Sequence, residues 1–410
     1  MSEHFEVAVV GGGLAGACAA ALLTRHAGIA ASRIALLAAQ LPAPVSPNAA
    51  PELRVAAISR ASERVLRAAG AWQRLDAARL CPYERMRVWH ESAAVDSEAA
   101  LCFDAADIGE PNLGVIAELS ALQRACIDSF RDAGGRLIHA PLERLVIGQD
   151  IVRLECAGDL LQTRVVVGAD GVHSAVREGA GLSVRSRDYR QLAIVATVET
   201  QRPHEHTAWQ RFMRTGPLAF LPLFDGRSSI VWSLDSRCAQ GLLDCDEREF
   251  NARLDAASAL ALGATRLASE RASFPLRSVA AHSYVGARCA LIGDAAHVIH
   301  PLAGQGANLG LLDAAALCEA IAAAPALHED PGALRVLRRY EQQRRTHNLA
   351  MDAAMSLFQS GFAAARGPGA WLVNRGLTLV NRSSALKRAF ARQALGTAGE
   401  LPRLARSDAA

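Results

Sequence analysis

A glycine-rich turn close to the start of the chain constrains the fold more than any other feature. The apolar run Phe5–Val10 is followed directly by Gly11-x-Gly13-x-x-Gly16, and the alanine-rich stretch Ala17–Thr24 comes next. Gly11 suits a tight turn, Gly13 lets the backbone approach a pyrophosphate, and Gly16 lets a helix pack closely on a strand. The pattern therefore predicts a strand, a turn and a helix that together bind a dinucleotide, at the beginning of a doubly wound α/β fold.

The residue expected to hold the adenosine ribose is missing. Sites of this kind usually place an acidic residue about 20 residues after the glycine turn, at the end of the second strand, where it accepts hydrogen bonds from the ribose. Here the second apolar run, Arg33–Leu37, is followed by Ala38, and Gln40 is the nearest polar residue. The ribose contact is therefore unexplained, and Gln40 is only a weak substitute.

A second motif, Gly168-Ala-Asp-Gly-Val-His-Ser-Ala-Val-Arg177, places the carboxylate of Asp170 at a glycine turn after an apolar run. In that position Asp170 would face the dinucleotide crevice, which makes it a candidate cofactor-binding residue. The alternative is a structural Asp-Gly turn before a helix capped by Ser174. That alternative explains Asp170 and Ser174 but not Arg177.

A third motif runs from Gly293 to Asp313. Asp294 follows an apolar run and can accept hydrogen bonds from sugar hydroxyls. The glycine loop 301–306 leads into a helix, whose N-terminal N–H groups suit an anion or a carbonyl that becomes anionic. His297 and His300 have a spacing that could ligate a metal, but no third ligand is evident, so we predict no metal site.

The cysteine pattern and the apolar runs limit the cellular setting. The chain has 410 residues and nine cysteines without a C-x-x-C pair, which argues against a disulfide framework or a zinc ribbon and for a reducing compartment. No export signal is visible, and no apolar run reaches the ~20 residues that cross a bilayer. We therefore expect a cytoplasmic protein that is soluble or peripheral to the inner face of the membrane.

The net charge is only +3, which gives no reason to expect a nucleic acid partner. The charged residues are nevertheless unevenly distributed along the chain. Residues 331–410 contain 13 lysines and arginines against 4 acidic residues. After the breaker Gly367-Pro-Gly369, the stretch 370–395 is basic and amphipathic. We expect this stretch to contact either a membrane surface or an acidic partner subunit, and the helices before Gly367 to pack on the dinucleotide domain.

The periodicity of apolar residues predicts the secondary structure of the rest of the chain. Leu53–Leu66 is predicted to be helical, with Ser59 or Ser62 as its cap. From about residue 189 to residue 274 the sequence alternates as strands do, with one helical insert near Glu247–Leu262, and this region is the best candidate for a second, sheet-based domain. The chain after Ala307 reads as helix.

The three motifs, in this order and at these separations, resemble those of the FAD-dependent aromatic hydroxylases, the single-component flavoprotein monooxygenases. Four runs, Gly293–Asp313, Leu53–Ser62, Tyr83–Trp89 and Gly216–Leu223, are similar to the branch that hydroxylates polyprenyl phenols in ubiquinone biosynthesis. The resemblance implies a doubly wound, Rossmann-like FAD-binding domain of the para-hydroxybenzoate-hydroxylase type, an inserted, mostly antiparallel β-sheet substrate domain and a C-terminal helical region. The expected boundaries are 1–80, 104–182 and 276–330 for the first, 81–103 and 183–275 for the second, and 331–410 for the third.

The resemblance also implies roles for particular residues. Asp294 would hold the ribityl chain of FAD, and the residues from Gly304 to Ala307 would contact the isoalloxazine ring. With Asp170 from the second motif, the predicted cofactor-binding residues are Gly11, Gly13, Gly16, Arg54, Gln123, Asp170, Asp294, Gly304, Gln305, Gly306 and Ala307. The candidate catalytic residues are His297 and Arg211, which could face the ring, and Pro301 in the glycine loop.

The activity implied is hydroxylation of a polyprenyl phenol. NAD(P)H would reduce the flavin and leave, O₂ would add at flavin C4a, and the hydroperoxide would transfer an electrophilic OH to the ring. Two other functions share the FAD motifs: a flavin-dependent reductase or desaturase of isoprenoids, and a non-catalytic subunit of a quinone-biosynthesis complex. NADPH consumption coupled to O₂ uptake would separate the first from a hydroxylase, and a bright yellow purified protein would weigh against the second.

Overall fold

The structure is a computed structural model. It describes residues 3–46, 48–299, 305–364, 368–383, 387 and 400–406. In these residues the strands, in chain order, are β1 (Glu3–Val10), β2 (Ile34–Leu37), β3 (Val55–Ser59), β4 (Cys81–Tyr83), β5 (Arg85–His90), β6 (Leu101–Asp104), β7 (Gly114–Glu118), β8 (Arg136–Ile138), β9 (Arg144–Ile147), β10 (Val152–Cys156), β11 (Asp159–Gly168), β12 (Val184–Thr200), β13 (Thr207–Phe212), β14 (Leu218–Pro222), β15 (Ser228–Asp235), β16 (Thr265–Leu267), β17 (Ala272–Ala281), β18 (Val285–Gly286), β19 (Cys289–Leu291) and β20 (His297–Val298).

The α-helices of the same residues are α1 (Leu14–His26), α2 (Arg60–Ala68), α3 (Leu119–Asp132), α4 (Ala175–Gly179), α5 (Ser236–Asp244), α6 (Glu247–Ser258), α7 (Gln305–Ala323), α8 (Leu334–Ala364) and α9 (Pro368–Arg382).

The first sheet is built around β1. Its strands run in the order β18-β19-β11-β1-β2-β8, with β10 and β9 added beside β11. The pairs around β1 are parallel, and helices α1, α3 and α7 pack together against this sheet. Parallel strands are normally covered on both faces, which explains why β1 and β2 are continuous apolar runs. The predicted strand, turn and helix at the N-terminus are confirmed as β1, the glycine turn and α1.

The second sheet is mostly antiparallel. Its order is β20-β17-β12-β15-β14-β13-β5-β6, with β16 paired to β12, and its one parallel pair among the described strands joins β13 to β5. A third, small sheet with the order β3-β7-β4 lies between these two in sequence. The fold class predicted from the sequence, a doubly wound domain with an inserted sheet and C-terminal helices, is therefore confirmed.

The strand pairings do not follow the predicted domain limits at every point. β4 pairs with β7 in the small sheet rather than with the antiparallel sheet. β17 continues past residue 275, and β20, from the stretch assigned to the FAD-binding domain, pairs with β17. The two larger sheets are therefore joined through the segment that carries the third motif, and the residue limits of the domains remain a proposal.

The helices at the C-terminal end pack on different parts of the molecule. α8 contacts α7 of the first domain. α9 contacts β6, and its Leu377 is buried in a cluster with Val88, Leu101, Phe103 and Phe212. Before the breaker the tail thus packs on the dinucleotide domain as expected, whereas α9 packs on the antiparallel sheet.

One stretch of the described residues, Gly306–Leu327, is long and apolar enough to cross a membrane by length and composition. Most of it is buried inside the protein, where α7 packs against α1 and α8. Core helices of this kind pass the same test, so the stretch is weak evidence for a membrane span.

Candidate active site

The glycine turn after β1 has the geometry that its sequence predicts. Gly11 has a φ of 114°, and a β-carbon placed on it would lie 2.2 Å from the carbonyl oxygen of Ala169. A β-carbon on Gly16 would lie 2.0 Å from the carbonyl oxygen of Gly11. Both positions therefore require glycine, because any side chain would displace the backbone of a neighbouring strand or turn.

Gly13 is different, because it faces open space. No atom lies within 4 Å of a β-carbon built on it, and it is the N-cap residue of α1. α1 has neither an acidic residue in its first turn nor a side-chain cap, so its N-terminal N–H groups and partial positive charge face that space. Gln123 of α3 holds the turn from the other side, since its Nε2 donates to the Gly12 carbonyl oxygen at 2.6 Å. The arrangement suits a pyrophosphate.

Ala38 lies where the acidic ribose ligand was expected, directly after β2. It is fully buried, and its methyl group faces Gly12. Gln40 lies two residues further on and is exposed. Ala38 itself offers no polar contact to a ribose, and Gln40 stays a weak candidate.

Asp170 has a structural partner for each carboxylate oxygen. One oxygen accepts from the Ser174 hydroxyl and the other from the Val176 N–H at 3.1 Å, so Asp170 stabilises the start of α4. Arg177 donates to the carbonyl oxygens of Val172 and Ala295, at 2.8 and 3.0 Å. These contacts favour the structural alternative for the second motif and also explain Arg177. Cofactor binding by Asp170 stays a prediction.

Asp294 lies at the protein surface rather than in the core. Its side chain is exposed, and no described residue donates a hydrogen bond to its carboxylate. Burial by the surrounding protein nevertheless raises the pKa of Asp294, although the charges of His297 and Arg54 act in the opposite direction. An exposed carboxylate without a hydrogen-bond donor among the described residues is a ready acceptor for ligand hydroxyls.

A cavity of about 190 Å³ lies between the small sheet and one face of the antiparallel sheet. The first residues of α7, Gly306 and Ala307, line it, and so does Arg54. The opposite wall is mainly apolar and includes Val195, Ala219, Leu221, Val231 and Phe274. The cavity therefore joins the N-terminal end of α7 to a mainly apolar chamber.

Gln210 is the most informative polar residue in this wall. It lies in one row with Ala219, Val231 and Val195 across four neighbouring strands. Only 5% of it is exposed, and its amide has no hydrogen-bond partner among the described residues. Buried polar groups normally have partners, so this amide is placed to bind a ligand in the cavity.

Arg211 lies on the other face of the sheet. Side chains alternate along a strand, so the neighbour of Gln210 in β13 points away from the cavity. Its guanidinium donates to the carbonyl oxygens of Ala257, at 2.6 Å, and Glu91, at 3.2 Å. The prediction that Arg211 faces the reacting ring is corrected accordingly, because its contacts stabilise the end of α6.

His297 is buried in a charged network with Asp313 and Arg344. Its Nε2 lies 2.5 Å from Oδ2 of Asp313, and the same oxygen accepts from the Gly293 N–H at 3.1 Å. Burial by itself would raise the pKa of Asp313, but the charges and hydrogen bonds of His297 and Arg344 outweigh it and hold that pKa well below its usual value. His297 does not line the cavity, so we assign it a positioning role instead of the predicted catalytic one.

Helix α8 completes this network. Arg344 donates from Nε to Asp313 at 2.9 Å, and Asn348 donates to the same oxygen at 3.2 Å. Asp313 and Arg344 are both fully buried. From the sequence, neither Arg344 nor Gln210 was predicted to have a role in the site. For Asp313, an acidic residue inside the mainly apolar helix α7 was a usable signal, and Glu319 is the other acidic residue of that helix.

Several predicted residues lie outside the described residues. They are His300, Pro301 and Gly304, and for Gln305 only the backbone is described. Among the residues that the structure describes, no group of three or more metal-ligating side chains is found.

The residues that are described fit FAD. The open space at Gly13 and the N-terminus of α1 suit its pyrophosphate, and the free carboxylate of Asp294 suits the ribityl hydroxyls. The N-terminal end of α7 suits the ring edge that becomes negative on reduction. Gly11, Gly16 and Gln123 shape this site, and Arg54 lies where the site meets the cavity.

Comparison with solved structures shows proteins with the same fold. The chain is similar to p-nitrophenol 4-monooxygenase PnpA from Pseudomonas putida DLL-E4, with a TM-score of 0.75 and 19% identity over 96% of this chain and 99% of the other. It is also similar to PqsL of P. aeruginosa, with a TM-score of 0.73 and 23% identity over 93% and 100% of the two chains. These likenesses show the fold, which is that of FAD-dependent monooxygenases.

Sequence comparisons narrow the class. Residues 152–354 match the FAD binding domain family. The chain is 34% identical to 3-demethoxyubiquinol 3-hydroxylase of Escherichia coli K12, over 96% of this chain and 99% of that protein. It is 36% identical to ubiquinone hydroxylase UbiL of Rhodospirillum rubrum (98% and 92% covered) and 31% identical to the human mitochondrial ubiquinone biosynthesis monooxygenase COQ6 (93% and 91% covered). The chain belongs to the FAD-dependent aromatic hydroxylases of ubiquinone biosynthesis.

This membership confirms the resemblance stated from the motifs, and FAD with NAD(P)H as the reductant follows from it. The relatives do not favour the reductase or the non-catalytic alternative.

Proposed function

We propose that this protein hydroxylates the aromatic ring of a phenolic ubiquinone precursor that carries a polyprenyl tail. The observation that supports this most directly is the cavity in which an unpartnered amide, Gln210, faces the N-terminal end of α7 across apolar walls. A ring with one oxygen substituent and an apolar tail has the chemistry that this lining complements. Three relatives are named as hydroxylases or monooxygenases of this pathway.

The division of labour between cofactor and protein follows from the lining. When bound, FAD supplies electron transfer from NAD(P)H and the activation of O₂. Gln210 orients the ring by a hydrogen bond to its oxygen, and Val195, Val231 and Phe274 exclude water. The N–H groups at the start of α7 stabilise negative charge on the bound ring system.

Mass analysis of the product tests the activity. Purified holoenzyme would be given NAD(P)H, ¹⁸O₂ and a short-chain prenyl phenol or demethoxyubiquinol, and a product with one added ¹⁸O atom is expected. Accumulation of an unhydroxylated quinone precursor in a deletion strain would agree with it. NAD(P)H consumption that yields only a reduced or desaturated isoprenoid would contradict the proposal.

Gln210→Leu is expected to lower kcat/KM for the phenolic substrate about tenfold, because one hydrogen bond to a substrate oxygen is lost in a buried site. FAD content and spectrum should be unchanged, since Gln210 belongs to the substrate wall. The measurement is steady-state kinetics with coupling of NAD(P)H use to product. Gln240→Leu, at an exposed position of α5, serves as the control and should match the wild type. Unchanged kinetics in Gln210→Leu would remove the residue from substrate binding.

We include in this proposal a contact between the basic tail and an anionic membrane surface. On α9, Leu377 is buried against the antiparallel sheet, whereas Leu379 is 65% exposed, and the guanidinium groups of Arg375 and Arg382 lie on exposed side chains of the same helix. An exposed leucine among arginines suits the interface of an anionic bilayer that dissolves a polyprenyl substrate. The part of 370–395 after residue 383 lies largely outside the described residues.

Leu379→Gln combined with Arg382→Gln is expected to weaken sedimentation with anionic vesicles at low salt severalfold, because each basic residue contributes about 1 kcal/mol at such a surface. FAD content should not change. Truncation after Gly369 is a less specific test, since it also removes Leu377 from its buried cluster. Equal sedimentation of wild type and variant, or salt-sensitive binding to an acidic protein instead, would overturn the membrane contact.

A further inference from the structure

A second cavity, of about 320 Å³, lies where α8 crosses the ribbon formed by β12 and β17. It shares no lining residue with the cavity that contains Gln210. Its lining is strongly basic and contains no carboxylate: Arg185, Arg187, Tyr189, Ser278, Ala280, Ala281, His282, Arg345 and Leu349.

Strand geometry explains why the arginines converge. Arg185 and Arg187 are two residues apart in β12, so their side chains project from the same face of the ribbon. In the register of β12 and β17 they lie opposite Ala280 and Ser278. These small residues leave the space between the arginines open, and Arg345 enters it from α8.

The three arginines lack acidic partners. None of them forms an ion pair with a residue in the described part of the chain, and the Nε of Arg345 is buried without a hydrogen-bond partner there. The neighbouring carboxylates are engaged elsewhere. Asp188 lies 3.9 Å from Arg277, and Glu341 accepts from Ser283 and from the Tyr284 N–H.

Converging guanidinium groups around a small-residue floor form an anion site, and guanidinium geometry suits phosphate in particular. Tyr189 adds a flat apolar wall, with the guanidinium carbon of Arg187 5.1 Å from its ring centroid. Such a combination suits a phosphate that is attached to a larger, ring-containing molecule.

Two structural elements connect this cavity to the region of the predicted flavin site. Ala280 in its floor pairs with His297 of β20, three residues after Asp294, and paired strands lie ~5 Å apart. Arg345 is adjacent to Arg344, which holds Asp313 of the buried network. A molecule bound here is therefore close to the segment that leads into the glycine loop.

We propose that this basic cavity binds the phosphate groups of the reductant NAD(P)H. The inference rests on the FAD-dependent function, which needs a reductant. The sequence has one dinucleotide fingerprint, and FAD binds there. The reductant therefore requires a separate anion site, and the unpaired guanidinium groups of Arg185, Arg187 and Arg345 supply one.

The test uses purified holoenzyme with Arg185→Gln and Arg187→Gln combined, and separately Arg345→Gln. Anaerobic stopped-flow absorbance measures flavin reduction by NADH and by NADPH. We expect the apparent Kd for at least one nucleotide to rise about tenfold or more, with little change in the limiting rate of reduction. ADP should compete with the nucleotide in the wild type and compete less in the variants. Arg237→Gln, an exposed arginine of α5, is the control and should behave as the wild type.

FAD content, reduction by dithionite and the unfolding midpoint check that the variants are intact. An unchanged Kd for both nucleotides in intact variants would overturn the proposal. So would a loss of binding to vesicles of phosphatidylglycerol and phosphatidylcholine with an unchanged nucleotide Kd, because the cavity would then be a lipid-phosphate site. Flavin reduction is measured without the aromatic substrate, so failure of this proposal is distinct from failure of the hydroxylase assignment.

Discussion

Asp294→Ala is expected to lower the affinity for FAD about ten- to a hundredfold, since charge-assisted hydrogen bonds contribute roughly 1.5–3 kcal/mol. The carboxylate is exposed, and no described residue donates a hydrogen bond to it. Titration of apoprotein with FAD, followed by quenching of flavin fluorescence, measures the effect directly. Normal affinity and occupancy in the purified variant would show that Asp294 does not hold the cofactor.

Asp294→Asn separates function from stability. Burial raises the pKa of Asp294, so ionising this carboxyl at neutral pH costs the folded apoprotein free energy. We expect the Asn variant to unfold at a slightly higher temperature without FAD and yet to bind FAD less tightly than the wild type. A variant that loses both stability and affinity would point to a structural role instead.

Asp313→Asn is expected to lower the free energy of unfolding by about 3–5 kcal/mol, because it leaves the buried Arg344 without its counter-charge. Both side chains are fully buried, and Asp313 also holds His297 and the Gly293 N–H. Urea unfolding followed by circular dichroism measures the change. Since Gly293 precedes Asp294, the affinity for FAD should fall as well.

Two controls make the Asp313 result specific. Glu249→Gln removes one partner of an exposed pair with Arg253 and should cost under ~1 kcal/mol. Asp313→Leu with Arg344→Met removes both buried charges and should regain part of the loss. Equal destabilisation by Asp313→Asn and Glu249→Gln would mean that the buried network contributes little.

The same pair predicts a pH dependence. The pKa of Asp313 is lowered in the folded state, so its stabilising contribution is present above the usual value of 3.8 and is lost as the pH falls below it, toward the lowered pKa. The difference in unfolding free energy between wild type and Asp313→Asn should therefore be constant at neutral pH and shrink below pH 3.8. A difference that stays constant as the pH falls would assign the stabilisation to packing rather than to charge.

Local chemistry explains which features could be predicted from the sequence. A glycine turn between an apolar strand and a helix has few conformations open to it, so the roles of Gly11, Gly13 and Gly16 could be predicted from their spacing. The cap at Ser59 is local for the same reason, since its side chain accepts from the Ser62 N–H three residues away. The family could also be predicted, because its motifs are short and contiguous.

Features that depend on distant partners could not be predicted in this way. Residues 55–59, predicted as helix, form β3, because they pair with β7 about sixty residues later and that pairing outweighs local preference. Successive side chains of β13 point to opposite faces of the sheet, so Gln210 lines the cavity and Arg211 does not. The local sequence does not indicate which of the two faces lies against the small sheet. Asp313, His297 and Arg344 come from three separate elements and form one network only when α7 and α8 pack together. Their charges are stabilised by contacts across the fold, which no short stretch of sequence contains.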